Sequence, residues 1–334
     1  MKIKQNISLS DFSSFRIGGN AKFFAEINSQ EELIEVLKQW SEISRDFSDS
    51  GKRVLVLGGG TNILIDDKGF DGLVIQNKIR NIESMKTLQK STFKVGAGVL
   101  ISDLLDYCIE NSLSGLEWAG GLPGTVGGAV RGNAGAFGGE IKDVIEQVES
   151  VEYELTYEVT ESPTSQVGRI KKRTKGECKF GYRESIFKSE KENEVILGVE
   201  LRLTLGNKEE IERIINEKIE YRKQKHPNIS DRPNIGSTFK NVPVEDLPES
   251  VKSEFEKNIK TDPFPLLPAV KLISGAGLVG QRVGDIVVSE IHPNYLINLG
   301  NGKSEDVLRL IFQIKTAVFK KYNVKLEEEI CLIT

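Results

Sequence analysis

The sequence predicts an α+β protein of two or three domains, and three observations carry that prediction. At 334 residues the chain exceeds the size at which a single hydrophobic core keeps growing. Short apolar runs and stretches of helical periodicity mix near both ends, whereas residues 144–204 mostly alternate apolar and polar side chains. Between these regions, residues 113–140 hold ten of the 32 glycines, too many for an ordinary helix or strand.

In chain order, residues 29–40 fit an amphipathic helix capped by Ser29, with Leu33, Ile34, Val36, Leu37 and Trp40 on one face. Residues 52–57 form an apolar run ending on three glycines, the pattern of a buried strand feeding a tight turn, and 72–76 form the next strand. A strand at 93–95 leads into a helix carrying Leu104, Leu105, Cys108 and Ile109, for which Ser102 is the expected cap. A mostly antiparallel sheet is expected over 144–204, interrupted by a polar, exposed loop or hairpin at 162–177. A charged helix at 208–225 follows a change of texture near Gly206. Residues 242–268 are acidic and proline-rich and are expected to form a peripheral insertion. Strands at 285–290 and 295–298, a helix capped by Ser304, and a last strand over 324–333 complete the chain.

Composition narrows the function. The hydrophobic fraction of 38% and charged fraction of 28% are those of a globular protein. A net charge of -4 argues against a nucleic-acid partner, whose phosphates demand a basic face. The amino terminus has no apolar signal region and no run is long enough to span a bilayer, so no membrane partner and a cytoplasmic location are expected. Cys108, Cys178 and Cys331 are far apart and odd in number, which supports free thiols rather than disulfides or a zinc site. With only His226 and His292 in the chain, no metal site is expected and a serine–histidine hydrolase is poorly supplied.

The two glycine turns are the chemistry-bearing features. Glycine lets successive backbone amides approach a ligand with no Cβ in the way, as a bound diphosphate requires. Residues 58–62, GGGTN, stand where a strand end would present such amides. They are not a Rossmann fingerprint, because Ile63 stands where its last glycine would fall. Gly302, Lys303 and Ser304 resemble the tail of a Walker loop, but Ile297 occupies the opening glycine position. A dinucleotide held across two small subdomains fits the two turns better.

At these residues the chain resembles the UDP-N-acetylenolpyruvoylglucosamine reductase (MurB) family. The resemblance rests on GGGTNILI at 58–65, GLE at 115–117, GLPGTVGGA at 121–129, NAGAFG at 133–138, FGYRESIF at 180–187, GSTFKN at 236–241 and LEEEI at 326–330. These motifs fall in order along nearly the whole chain. The resemblance implies a two-subdomain FAD-binding module of the FAD-linked oxidase type, at 1–78 and 79–205. It further implies a carboxyl-terminal α/β substrate-binding domain at 206–334, carrying the 242–268 insertion. Non-covalent FAD and NADPH are the implied cofactors, and a UDP-sugar carrying an enolpyruvyl ether is the implied substrate. The enzyme is expected to act as a monomer.

The resemblance also implies site residues. FAD would be held by Gly58, Gly59, Gly60, Thr61 and Asn62, and by Leu122, Pro123, Gly124, Thr125, Gly127, Gly128, Ala129, Asn133, Gly135 and Ala136. Substrate would meet Asn62, Tyr182, Lys225, Asn241 and Asn294. Hydride delivery to a vinyl carbon leaves negative charge beside a carboxylate, which needs nearby donors and then a proton. Arg183 and Glu329 are implied for the charge and Ser237 for the proton, with Lys240 or a water on Asn241 as candidate activators of Ser237. The chain departs from the family at Thr61, where serine is usual, and at Glu328, where proline is usual. The rival readings are another FAD-linked oxidase acting on a hydroxy acid or sugar, and a nucleotide-binding module without activity.

Overall fold

The computed structural model describes residues 2–87, 90–153, 168–190 and 193–334. They form two compact units, each assembled from separate stretches of chain. The first comprises Met1–Ile7, Ala21–Gly59 and Asp71–Ile219, the second Ser8–Asn20, Gly60–Phe70 and Glu220–Thr334.

In the first unit a four-stranded sheet runs in the order Lys4–Ser8, Asn20–Ile27, Phe70–Asn77, Val54–Leu57. Its last pair is parallel, with Val54 opposite Leu73 and Leu57 opposite Gln76. The helix Gln30–Ile43 follows the second of these strands, and Ser29 caps it as expected, its side chain accepting from the Glu32 amide at 3.2 Å. That helix buries Leu33, Val36, Leu37 and Trp40. Each fully buried side chain of this size contributes roughly 1.5–3 kcal/mol.

The expected antiparallel sheet is also present, in the order Arg169–Thr174, Ile145–Glu152, Glu194–Leu205, Lys90–Gly96, Ile82–Thr87. Residues 154–167, which include the start of the expected polar loop or hairpin, lie outside the described residues. The later part is an exposed edge strand, Arg169–Thr174, paired antiparallel with Ile145–Glu152, in keeping with the hairpin alternative. A buried ionic contact holds it there. Arg173 Nη2 donates to Glu194 Oε1 at 2.7 Å, and the Ser150 hydroxyl donates to Glu194 Oε2 at 2.8 Å. The helix Ile101–Glu110 begins two residues earlier than a Ser102 cap allows, and Leu100 stands at its cap without a side-chain bond.

The core of the second unit gathers residues from all three of its chain stretches, among them Phe15, Ile17, Leu64, Phe239, Leu272, Ile286, Leu310 and Ile314. A three-stranded antiparallel sheet, Arg282–Val283, Ile286–Val288 and Leu296–Asn298, packs here with the helix Ser304–Tyr322. That helix starts at Ser304 rather than being capped by it. Asp67 accepts from both the Ser304 amide and hydroxyl, at 2.8 and 3.0 Å. The segment 242–268 is not peripheral: Val242 pairs with Leu267, and Val242, Leu247, Val251, Phe255, Leu266 and Leu267 are buried. The expected strand over 324–333 is reduced to Cys331–Ile333, which pairs in parallel with Ile63–Ile65.

Among the described residues no helix is long and apolar enough to cross a membrane. All three cysteines are free. Burial raises the Cys108 and Cys178 thiols to about 12, so neither forms thiolate near neutral pH.

Candidate active site

In the first unit the two glycine turns touch. A Cβ on Gly58, which directly follows the strand Val54–Leu57, would stand 2.5 Å from Thr125 Oγ1. Thr125 is itself fixed, since it caps the short helix Val126–Arg131 and accepts from the Gly128 amide. Gly127 is required by packing: its amide donates to the Ala97 carbonyl at 2.8 Å, and a Cβ there would lie 2.9 Å from the Ala97 Cβ. Gly121 and Gly124 adopt φ of +71° and +106°, which side chains other than glycine resist.

The backbone amides divide into two sets. Those of Leu122, Gly127, Ala129 and Asn133 bond to carbonyls of their own loop or of its neighbour. In the first unit those of Gly58, Gly59, Gly121, Gly124 and Thr125 meet no acceptor among the described residues; in the second, those of Gly60, Thr61 and Asn62 meet none either. Unpaired amides clustered at glycine turns suit an anionic ligand. A diphosphate therefore fits the donors that remain available, while Gly127, Gly128 and Ala129 shape the loop that presents them. Asn133 is buried and fully used: its amide nitrogen donates to Glu140 and to the Gly181 carbonyl at 2.7 Å, and its oxygen accepts from the Lys142 amide.

Arg183 belongs to this unit as well. It sits in a tight turn between Gly181 and Glu184 with φ of +57°. Its guanidinium donates to the Gly135 carbonyl at 2.8 Å and lies 5.1 Å from the Tyr182 ring centre. Ala136 pairs with Gly139 in the same loop. The long glycine loop and the Arg183 turn are thus joined by Arg183 and Asn133 together.

In the second unit residues 237–240 run between two other extended segments. On one side Ser237 bridges Tyr295, the Thr238 amide donates to the Asn294 carbonyl at 2.8 Å, and both ends of the Asn294 amide group bond the Phe239 backbone. On the other, the Glu329 amide donates to the Thr238 carbonyl and the Lys240 amide to the Glu327 carbonyl. Asn62 joins from a distant stretch, its side chain donating to the Glu329 carbonyl at 3.2 Å and its own carbonyl accepting from the Cys331 amide. Ser237, Glu329, Asn62 and Asn294 therefore meet.

The neighbouring acids have other partners. Glu327 is exposed and pairs with Lys240 at 3.4 Å, and Glu328 pairs with Lys315 of the helix Ser304–Tyr322 at 2.8 Å. Asn241 accepts from the Ala269 amide at 3.2 Å, at the start of the helix Ala269–Gly275. Lys225 is exposed at the end of the helix Lys208–Lys225.

Sequence reasoning missed the group beside Ser237. The Tyr295 phenol lies 3.3 Å from His226 Nδ1, and the Ser237 side chain acts on it in the sense that favours its ionised form. Burial pushes this phenol above its ordinary value, against the pull of the Arg222 charge and the Ser237 side chain, and the Glu329 charge adds to the rise. His226 and His292 pack ring to ring at 4.9 Å. Burial above all brings both down to about 4, with the Lys260 charge acting on each.

Residues 226–333 match the carboxyl-terminal domain model of UDP-N-acetylenolpyruvoylglucosamine reductase, and residues 22–154 match an FAD-binding domain model. The UDP-N-acetylenolpyruvoylglucosamine reductase of Carboxydothermus hydrogenoformans is 36% identical over 328 residues, covering 98% of this chain and 93% of that protein. Its counterpart from Caldicellulosiruptor saccharolyticus is 35% identical over 96% of this chain and 89% of its own length. The crystal structure of the Thermus caldophilus reductase superposes with a TM-score of 0.71 at 29% identity, covering all of both chains.

Proposed function

The chain belongs to the UDP-N-acetylenolpyruvoylglucosamine reductase family, and from that membership we propose how its residues divide the family's reaction. The enzyme is a flavin-dependent oxidoreductase that reduces UDP-N-acetylglucosamine enolpyruvate to UDP-N-acetylmuramate for peptidoglycan, with NADPH as reductant. FAD, when bound, would supply the hydride-transfer chemistry between NADPH and the enolpyruvyl double bond.

The unpaired amides of Gly58, Gly59, Gly121, Gly124 and Thr125 would hold the FAD diphosphate. Pro123, Gly127, Gly128, Ala129, Asn133, Gly135 and Ala136 keep the loop in the shape that exposes them. Arg183 meets the negative charge that develops beside the substrate carboxylate; its guanidinium is always charged and is already oriented by the Gly135 carbonyl. The Ser237 hydroxyl supplies the proton to the adjacent carbon, and Glu329 assists there. Tyr182, Lys225, Asn241 and Asn62 contact the UDP-sugar, while Asn294 holds the Ser237 segment through the Phe239 backbone. Residues 1–78 and 79–205 serve as the two halves of the FAD module and 206–334 as the substrate region. The chain works as a cytoplasmic monomer with no nucleic-acid partner, in keeping with its net charge of -4.

The observation that supports this division best is the pairing of residues 237–240 with segments on either side, which sets Ser237, Glu329 and Asn62 within one backbone network. The deciding experiment is anaerobic. The purified chain should be yellow, bleach with NADPH, and regain colour when the enolpyruvyl sugar nucleotide is added. A yellow protein that bleaches but recolours only with oxygen would point to an oxidase, and a chain that takes up no FAD on reconstitution would end the flavoenzyme reading.

A further inference from the structure

We propose that Tyr295 is the positioning residue for Ser237: its hydroxyl, held by His226, is the donor that meets the Ser237 oxygen as the serine proton leaves. The proposal rests on Ser237 being the proton source in the reaction above.

A serine that gives up its proton leaves an alkoxide, which is costly in a half-buried site unless a donor is aimed at it. The two groups first named for that task are used elsewhere. The Lys240 ammonium pairs with Glu327, and the Asn241 oxygen accepts from Ala269. Tyr295 is placed by the backbone instead. As the bridge partner of Ser237 it presents its side chain on the same side of the pair, and its ring is wedged between His226 at 5.3 Å and His292 at 4.8 Å between ring centres. The phenol then shares the side of the pair on which Ser237 stands and lies 3.3 Å from His226 Nδ1.

Proton bookkeeping closes along this chain when His226 carries its proton on Nδ1. The Ser237 O–H bond breaks as the substrate C–H bond forms. The Tyr295 proton moves to the Ser237 oxygen, the His226 Nδ1 proton moves to the Tyr295 oxygen, and Nε2 takes a proton from water. The net change is one solvent proton delivered to carbon, with no electron transferred. The surroundings favour these states. Burial keeps the phenol protonated, and His226 is neutral near pH 7 because burial, His292, Arg222 and Lys260 all oppose its charge. The charged groups that act on the Tyr295 phenol are Arg222 and Glu329.

The test uses the FAD-loaded enzyme and separates the two half-reactions by stopped flow. Tyr295→Phe keeps the ring and removes only the hydroxyl. It should leave bleaching by NADPH at the wild-type rate and slow recolouring by substrate about tenfold or more. The solvent deuterium isotope effect on recolouring should rise, because proton delivery becomes rate-limiting. As a second variant that keeps the hydroxyl, 3-fluorotyrosine introduced at position 295 should recolour faster than Tyr295→Phe. Wild-type recolouring in Tyr295→Phe, beside slow recolouring in Ser237→Ala, overturns this role and leaves that of Ser237 standing. Wild-type recolouring in both variants removes the two roles together. A Tyr295→Phe enzyme changed only in KM, with an unaltered isotope effect, also overturns it, since that is the mark of a packing role.

Discussion

The glycine turns of the first unit and the Ser237 segment of the second recognise chemistry by opposite means. Around Gly58 and Gly124 the available groups are backbone amides, and side chains are excluded by contact with Thr125 or by positive φ. Around Ser237 the backbone is almost fully paired with Asn294, Glu327 and Glu329, so the hydroxyl, phenol, imidazole and carboxylate side chains remain to act. Amides carry fixed partial charge and cannot titrate, which suits holding a cofactor without changing it. Side chains can gain or lose protons, which suits a step that must deliver one. Substitutions should accordingly separate by half-reaction and by stability.

The largest effect is expected at Ser237. Ser237→Ala should slow recolouring by substrate by roughly 10²- to 10⁴-fold while NADPH bleaching keeps its rate. Equal loss in both half-reactions would erase the contrast between the two regions.

Glu329→Gln follows, with turnover reduced about 10²-fold. Glu327→Gln and Glu328→Gln should cost far less, because these acids pair at the surface with Lys240 and Lys315, and such pairs are worth about 1 kcal/mol or less. Steady-state turnover of the three variants, each normalised to flavin content, makes the comparison. Normal turnover in Glu329→Gln alongside a defect in Glu327→Gln would reverse the assignment.

Gly127→Val sharpens the other side. Its side chain would meet Ala97 rather than open space, so overpacking of about 1–3 kcal/mol is expected, along with loss of flavin. Thermal melting of the apoprotein tests the physical reason. A variant that loses FAD yet melts like the parent would show that Gly127 faces the ligand directly.

The last effect concerns pH. His226 and His292 titrate near 4 in the folded chain and at about 6.5 when unfolded. Between those values the unfolded chain binds more protons, so stability is full above about pH 6.5 and falls as pH drops toward 4. The urea midpoint should therefore decline from pH 7 to pH 5, and less so in a His226→Gln, His292→Gln double variant. An identical decline in both proteins would assign it to other groups.

Legibility in the sequence followed the range of each interaction. The Ser29 cap, the glycine turns and the alternating sheet were readable because they depend on residues within a few positions of one another. Ser102 and Ser304 were misplaced as caps, since Leu100 occupies the first position and Asp67, distant in sequence, supplies the second. The segment 242–268 reads as peripheral because acidic and proline residues together outnumber the apolar ones, yet most of its apolar side chains are buried. Tyr295 carries no signal of its own: only the pairing of its backbone with Ser237 makes its hydroxyl relevant. The family motifs mark the site residues, and long-range pairing decides which of them stand together.

The parallel pairing of Ile63–Ile65 with Cys331–Ile333 has a consequence for biosynthesis. A nascent chain exposes the first of these strands early and makes its partner only near the end of the described sequence. At about 5–20 residues per second that interval lasts many seconds, during which an apolar strand edge lies open to other chains. Leu64 and Ile65 are wholly buried in the finished protein, so a ribosome stalled before residue 331 should present a sticky intermediate and make this short strand a natural target for a chaperone.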